Sequence, residues 1–368
     1  MDDDCLKLTI YFGERDRTDS GFLADELTEI YARHALQASV VLRGVQGFGS
    51  KHVLHTDRLL TLSEDLPLVS VAVDTRSRIE AALEEIERLR LQGLLTLERA
   101  RILTGRVESV QLPEELGEGT KMTMYVGRQE RVGRKPAYQA IVELLREHGI
   151  DGATVMLGVD GTAHGVRQRA RFFGMNSQVP LMVIAVGQGA RVAAALPEIG
   201  EMLARPLITL ERVRVCKRDG ARLAEPRHLP ESDPSGLRVW QKLMVYLDED
   251  ARSDGRPLYQ ELIHSLRQAG AAGATNLRAI WGYHGDHVPR GDSFWQLRRR
   301  VPVITVIVDS PERIRSWFEI VDEITGHSGS VTSEMVPAFR ATGPDEFKRG
   351  GLRLARLRDA RSGSRSRE

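Results

Sequence analysis

The chain has 368 residues, of which 52 are basic, 51 acidic and 41% hydrophobic, for a formal net charge of +1. This balance gives no overall field to draw the protein onto nucleic acid or an anionic membrane, and the apolar content suffices for two or three modest cores. Only Cys5 and Cys216 are present, so neither a disulfide framework nor a thiolate metal centre is expected. The acidic start Met1-Asp2-Asp3-Asp4 and the absence of any apolar run of membrane-spanning length predict a cytoplasmic protein.

Leu6 to Phe12 alternates, Lys7, Thr9 and Tyr11 against Leu8, Ile10 and Phe12, which predicts a half-buried strand. Leu23, Leu27, Ile30 and Tyr31 fall at helical spacing. Ser39 to Leu42 reads as a second strand. Leu68 to Val73, directly after Pro67, has the near-continuous apolar character of a central strand. Ile79, Leu83, Ile86 and Leu89 mark a second helix, and Thr96-Leu97-Glu98 lies in a closing strand. The series then returns twice. Tyr11 and Gly47, Tyr125 and Gly161, and Tyr246 and Gly282 are each separated by 36 positions, Pro67, Pro180 and Pro302 follow those glycines by 19 or 20, and Thr209-Leu210-Glu211 and Thr332-Ser333-Glu334 close the later copies.

Copies of about a hundred residues are too long for solenoid units and match small domains. The expected organisation is repeat 1 over 5–104, repeat 2 over 120–216, repeat 3 over 239–342 and a basic, disordered tail over 343–368, separated by Gly- and Pro-punctuated linkers. The order strand, helix, strand, strand, helix, strand is the ferredoxin-like plan. The predicted fold class is therefore α+β, three tandem ferredoxin-like (βαββαβ) domains. Apolar side chains on the strand faces away from the helices need a cover, and three sheets around a common axis supply it within one chain. That arrangement is an intrachain pseudo-trimer, monomeric in solution.

The run Leu42-Arg43-Gly44-Val45-Gln46-Gly47-Phe48-Gly49, with His55-Thr56, Leu62-Ser63-Glu64-Asp65-Leu66-Pro67 and Thr96-Leu97-Glu98, resembles the PII-like family catalogued as domain of unknown function 190. That family is similar to the PII nitrogen-regulatory signal transducers and to the CutA proteins. The motif returns in Arg278-Ala279-Ile280-Trp281-Gly282-Tyr283-His284-Gly285 and is worn in the second copy. The resemblance implies a cytoplasmic, non-catalytic sensor that binds a small anionic effector, a nucleotide among the candidates, at inter-repeat clefts. It also implies signalling through a long loop between second and third strands to a partner such as a membrane ion channel or transporter, a fluoride exporter for example, and not to nucleic acid. PII proteins grip phosphates with a basic, glycine-rich loop before the last strand, whereas this chain has Arg90-Leu91-Gln92-Gly93-Leu94 there, which leaves the effector's identity open.

The long connections carry the candidate site, because a hairpin needs far fewer residues than separate Gly47 from Pro67. Gly44, Gly47 and Gly49 expose backbone amides, Arg43, Lys51 and His52 add positive charge, and Phe48 flanks them. The third copy offers Arg278, Gly282, Tyr283 and His284. An equally open reading is that the glycines only shape a bend. The middle copy has Leu157 in place of Arg43 and Thr162 in place of Phe48, so the seams are not equivalent and the middle repeat reads as mainly structural. His52 with His55, and His284 with His287, form His-x-x-His pairs that would chelate a divalent ion in a CutA-like alternative. No Gly-x-Ser-x-Gly, Walker or Rossmann signature stands in a supporting context, so neither catalytic residues nor a resident cofactor are expected.

Overall fold

A computed structural model describes residues 2–49, 54–56, 65–89, 91–105, 107, 111–163, 166–167, 180–285, 289–291, 301–342 and 347–351. The first repeat comprises β1 (Asp2–Gly13), α1 (Leu23–Arg33), β2 (Ala38–Phe48), β3 (Pro67–Thr75), α2 (Arg76–Ile86) and β4 (Gly93–Thr104). The second comprises β5 (Thr120–Gly127), α3 (Ala137–Glu147), β6 (Gly152–Ala163), β7 (Pro180–Gly187), α4 (Gly189–Met202) and β8 (Leu207–Arg212), continued by β9 (Arg214–Arg218). The third comprises β10 (Trp240–Asp248), α5 (Leu258–Gln268), β11 (Ala274–Arg278), β12 (Trp281–His284), β13 (Pro302–Asp309), α6 (Pro311–Thr325), β14 (Ser330–Val336) and β15 (Ala338–Thr342).

Each helix pair buries its apolar stripe on one face of its own strands. Leu27, Ile30, Ile79 and Leu83 pack with Leu8 and Ile10 in the first repeat, and equivalent clusters form in the second and third. The opposite strand faces meet in one shared cluster that draws Val40 and Val71, Met156 and Ile184, and Met244 and Val306 from the three repeats in turn. β3, β7 and β13 are buried along almost their whole length, as branched-apolar strands covered on both faces should be.

The strands do not stop at repeat boundaries. β1 pairs with β3 and β4, β3 with β2, β2 with β6, β6 with β7, β7 with β5, β5 with β8, and β8 with β4. That path returns to its start. The predicted fold class, three ferredoxin-like domains packed as a pseudo-trimer, is therefore corrected to a closed eight-stranded antiparallel β-barrel with further strands outside it. The third repeat joins from outside, through β11 on β2, β12 on β6, β14 on β9 and β15 on β4. The physical reason is the edge problem: a domain with a free edge strand exposes a row of unpaired amides and carbonyls, and here the edges pair across repeats.

The second strands are also longer than the expected Ser39 to Leu42, since β2 runs on to Phe48. The glycine-containing run read as the start of a loop is thus ladder. Phe347–Gly350, within the segment expected to be tail, pairs with β15.

Candidate functional site at the seams between repeats

The second strand of a repeat serves two neighbours. Ala38 to Leu42 of β2 pairs with β6 of repeat 2, whereas Gly44 to Phe48 pairs with β11 of repeat 3. β6 in turn gives Gly152 to Val155 to β12. At each crossing stands a landmark glycine. A Cβ on Gly47 would lie 2.8 Å from the Ala274 carbonyl oxygen and 3.2 Å from Pro67 Cγ. One on Gly161 would press on the Ser39 carbonyl and lie 2.8 Å from Pro180 Cγ, and one on Gly282 would press on the Ala153 carbonyl and lie 3.0 Å from Pro302 Cγ. The Gly and Pro spacing that defines the repeats therefore marks a strand crossing with a proline packed against it.

The predicted site residues divide accordingly. Arg43 is exposed and donates from Nε and Nη2 to Glu14 Oε2 at 3.2 and 2.8 Å, while Arg278 pairs with Glu249 at 2.8 Å. Arg278 follows Leu277, the partner of Gly44, so both arginines belong to the β2–β11 seam. Gly44 is closed in by Pro67 and the Asn276 carbonyl, whereas Gly49 faces open space. Phe48 is buried in the helix-side core of repeat 3. Tyr283 is buried in that of repeat 2 and donates to the Ile150 carbonyl at 3.0 Å. Thr162, in the same place on repeat 2, shares a hydrogen bond of 2.9 Å with Ser39 of repeat 1. Each repeat thus inserts one side chain into its neighbour, and Phe48 and Tyr283 act as packing anchors. Lys51, His52 and His287 lie outside the described residues, so neither His-x-x-His pair is placed; His55 sits in a short ladder opposite Gly47.

A cleft of about 30 Å³ opens at the β6–β12 seam. Asp151, Arg218 and Ile184 line it from repeat 2, and Tyr246, His284 and Thr332 from repeat 3. Arg218 Nη2 lies 2.8 Å from Asp151 Oδ2, and His284 Nε2 lies 3.1 Å from Asp248 Oδ1. Burial raises the Asp151 carboxyl above its ordinary range against the opposing pull of Arg218 and Arg191. A water needs roughly 10–15 Å³ by this measure. The cleft therefore accommodates about two waters or one small ionic group.

Where the three repeats meet lies a second polar feature. Lys7 contacts Glu98 at 3.0 Å and also Glu211; Lys121 contacts Glu211 at 3.2 Å and also Glu334; Lys242 contacts Glu334 at 3.0 Å and Glu98 at 2.6 Å. The six buried charges alternate around a ring in which every lysine joins the glutamate of its own repeat to that of another. Burial opposes each charge, but Glu211 and Glu98 hold the Lys7 ammonium well above its usual range, and Lys242 and Lys7 hold the Glu98 carboxyl below its own. At Lys121 burial prevails and lowers the ammonium. One oxygen from each of Glu98, Glu211 and Glu334 lies within 4.8 Å of the other two, a spacing that suits a cation, yet three ammonium groups already neutralise them. Sequence reasoning used the three glutamates only as landmarks and Lys7 only as a strand residue. The available signal was a lysine four residues before each Tyr11 equivalent, on the strand face that has to be buried.

Segments 5–102, 119–215 and 240–338 each match the family described as Uncharacterized ACR, domain of unknown function 190. Among curated proteins, the chain is 37% identical over 103 residues to a UPF0166 protein of Aquifex aeolicus, covering 27% of this chain and 95% of that one. It is 30% identical over 89 residues to a UPF0166 protein of Methanocaldococcus jannaschii, covering 24% of this chain and 82% of the relative. A solved structure of an anthrone oxidase-like protein aligns at 11% identity over 56% of this chain and 92% of its own, with a TM-score of 0.18, too low to bear on the fold. Among the described residues no helix is long and apolar enough to cross a membrane. With three tandem segments matched over most of its length, the chain belongs to the family of domain of unknown function 190.

Proposed function

We propose that the chain is a non-catalytic regulatory protein that binds a small effector between repeats and relays its presence through the long connections after the second strands. The observation that carries this reading is the place of His284. Its side chain lines the cleft, and it is the last residue of β12, the strand that leads into the connection ending at Pro302. A ligand touching His284 acts on the root of that connection, where Arg290–Gly291 pairs back onto Trp281 and Gly282. The effector is a small anion or an anionic group of a larger molecule, and the partner a protein such as a membrane channel or transporter.

A thermal-shift screen of the whole chain against inorganic anions, nucleotides and divalent metals, followed by hydrogen exchange, tests this. The expected result is a stabilising ligand that also slows exchange of the β12 and Arg290–Gly291 amides. Binding that leaves those amides unchanged rules out the relay. Stoichiometric divalent metal in the purified protein, bound through His284, would instead favour the CutA-like alternative.

A further inference from the structure

The three seams share one ladder register, so corresponding residues can be compared. His284 pairs with Gly152; its counterparts are Ala163, which pairs with Ala38, and Gly49, which follows Phe48, the partner of Ala274. Asp151 precedes Gly152, and Gln37 and Ala272 hold its place before Ala38 and Gly273. Asp248 lies two residues past Tyr246, where Gly13 and Gly127 lie past Tyr11 and Tyr125. Arg218 follows Lys217, the partner of Val331, and its counterparts are Thr104, paired with Leu207, and Ala341, paired with Leu94. At these four positions the β6–β12 seam carries ionisable side chains and the other two seams carry none.

The same seam has unspent hydrogen-bonding capacity. Arg218 Nε is buried and has no hydrogen-bond partner among the described residues, the buried Thr332 hydroxyl lies within hydrogen-bonding reach of the Tyr246 phenol, and all three residues line the cleft. Thr332 is 1% exposed. Buried donors left unpaired are destabilising, so an acceptor entering the cleft restores what burial removed. Of the two carboxylates nearby, Asp151 Oδ2 lacks an aligned hydrogen bond but is ion-paired with Arg218 at 2.8 Å, and Asp248 faces His284, so with both carboxylates ion-paired the unpartnered Arg218 Nε favours an acceptor over a cation. Arginine presents its N–H groups in a planar fork that suits an oxyanion.

We propose that the cleft between the second and third repeats is the chain's single effector site and takes a compact oxyanion group, a carboxylate or phosphoryl, on Arg218 Nε and the Thr332 hydroxyl. This rests on the seam-binding reading above and specifies which seam and which chemistry. The other two seams are structural.

The test is calorimetric titration of the whole chain with inorganic phosphate, acetate and adenosine 5′-monophosphate, the three probes separating a free ion from the same group carried on a larger molecule. At least one binds with one site per chain; Arg218→Gln and the near-isosteric Thr332→Val each weaken it tenfold or more, and Thr209→Val, at the corresponding position of another seam, leaves it unchanged. Binding of none of the probes, three sites per chain, or an unchanged affinity in Thr332→Val overturns the proposal, and Thr332→Val decides if Arg218→Gln does not fold. The two readings fail separately. An effector from the wider screen that binds equally well to Arg218→Gln keeps the sensor reading and removes this site, whereas probe binding as expected with unaltered exchange in β12 keeps the site and removes the sensor.

Discussion

Replacing Glu98 by Gln keeps its size and removes one of six balanced charges. Glu98 is 3% exposed and touches Lys242 at 2.6 Å and Lys7 at 3.0 Å. The variant leaves three buried ammonium groups facing two carboxylates, with Lys7 retaining Glu211 and Lys242 retaining Glu334. Removing one partner of a buried ion pair costs about 3–5 kcal/mol, because the remaining charge stays desolvated. With an unfolding entropy of ~2.1 cal/mol/K per residue, a chain of 368 residues translates that loss into roughly 4–6 °C of Tm. Urea unfolding and calorimetry of Glu98→Gln read both numbers. The double variant Glu98→Gln with Lys242→Met restores charge balance, so it should lose less than the sum of the two single variants, with a coupling of about 1–3 kcal/mol. A loss below about 1 kcal/mol for Glu98→Gln, or simple additivity in the cycle, would mean that water reaches the ring and that it is not a buried network.

Three further outcomes follow from the same geometry. Glu98 and Glu334 are held below their ordinary range by the lysines despite burial, so their stabilisation is present above an unfolded pKa of about 4.3 and is lost as pH falls; urea midpoints should drop from pH 7 to pH 3, and a flat profile there contradicts the assignment. Burial raises the Cys5 and Cys216 thiols to about 12, so each favours folding below an unfolded pKa of about 8.5 and less as pH rises from there; iodoacetamide at pH 8 should label neither thiol in the native chain and both in urea. Gly161→Ala forces a methyl against the Ser39 carbonyl and Pro180, whereas Gly49 has nothing within 4 Å of its added Cβ; calorimetry should show a loss of about 1–3 kcal/mol for the first and a change within about 0.5 kcal/mol for Gly49→Ala.

The repeat, its period and the positions of most elements were legible in the sequence because each depends on local pattern. Leu8 and Ile10 against Lys7, Thr9 and Tyr11 define two strand faces, and α1 and α2 supply the apolar stripes that cover one of them. Which edges pair was not legible. Alternation tells which face a side chain takes and says nothing about the strand lying beside it, so the pattern of Ser39 to Leu42 reveals neither the run of β2 on to Phe48 nor the closure of the barrel. The glycines carry two readings for a related reason. Close approach of a backbone and close approach of a ligand both exclude a Cβ, and Gly47, Gly161 and Gly282 are set against carbonyls of the neighbouring strand. Of the proposed contacts only His284 and Tyr283 line the cleft; Arg218, Asp151 and Thr332 were missed because they come from strand ends distant in sequence.

Covalent linkage of the copies explains how such unequal seams coexist with so regular a core. In an assembly of identical chains every seam carries the same residues, so a charge introduced at one appears at all of them. Here the buried ring keeps its lysine and glutamate in all three repeats, since losing one unbalances the whole network. No such constraint ties the seam positions together: the place held by His284 is filled by Ala163 and Gly49 elsewhere, and that of Asp248 by Gly13 and Gly127. The repeats are thus bound to equivalence where their charges are shared and free to diverge where each seam stands alone, and the β6–β12 seam is where His284, Asp248, Asp151 and Arg218 come together around a cleft.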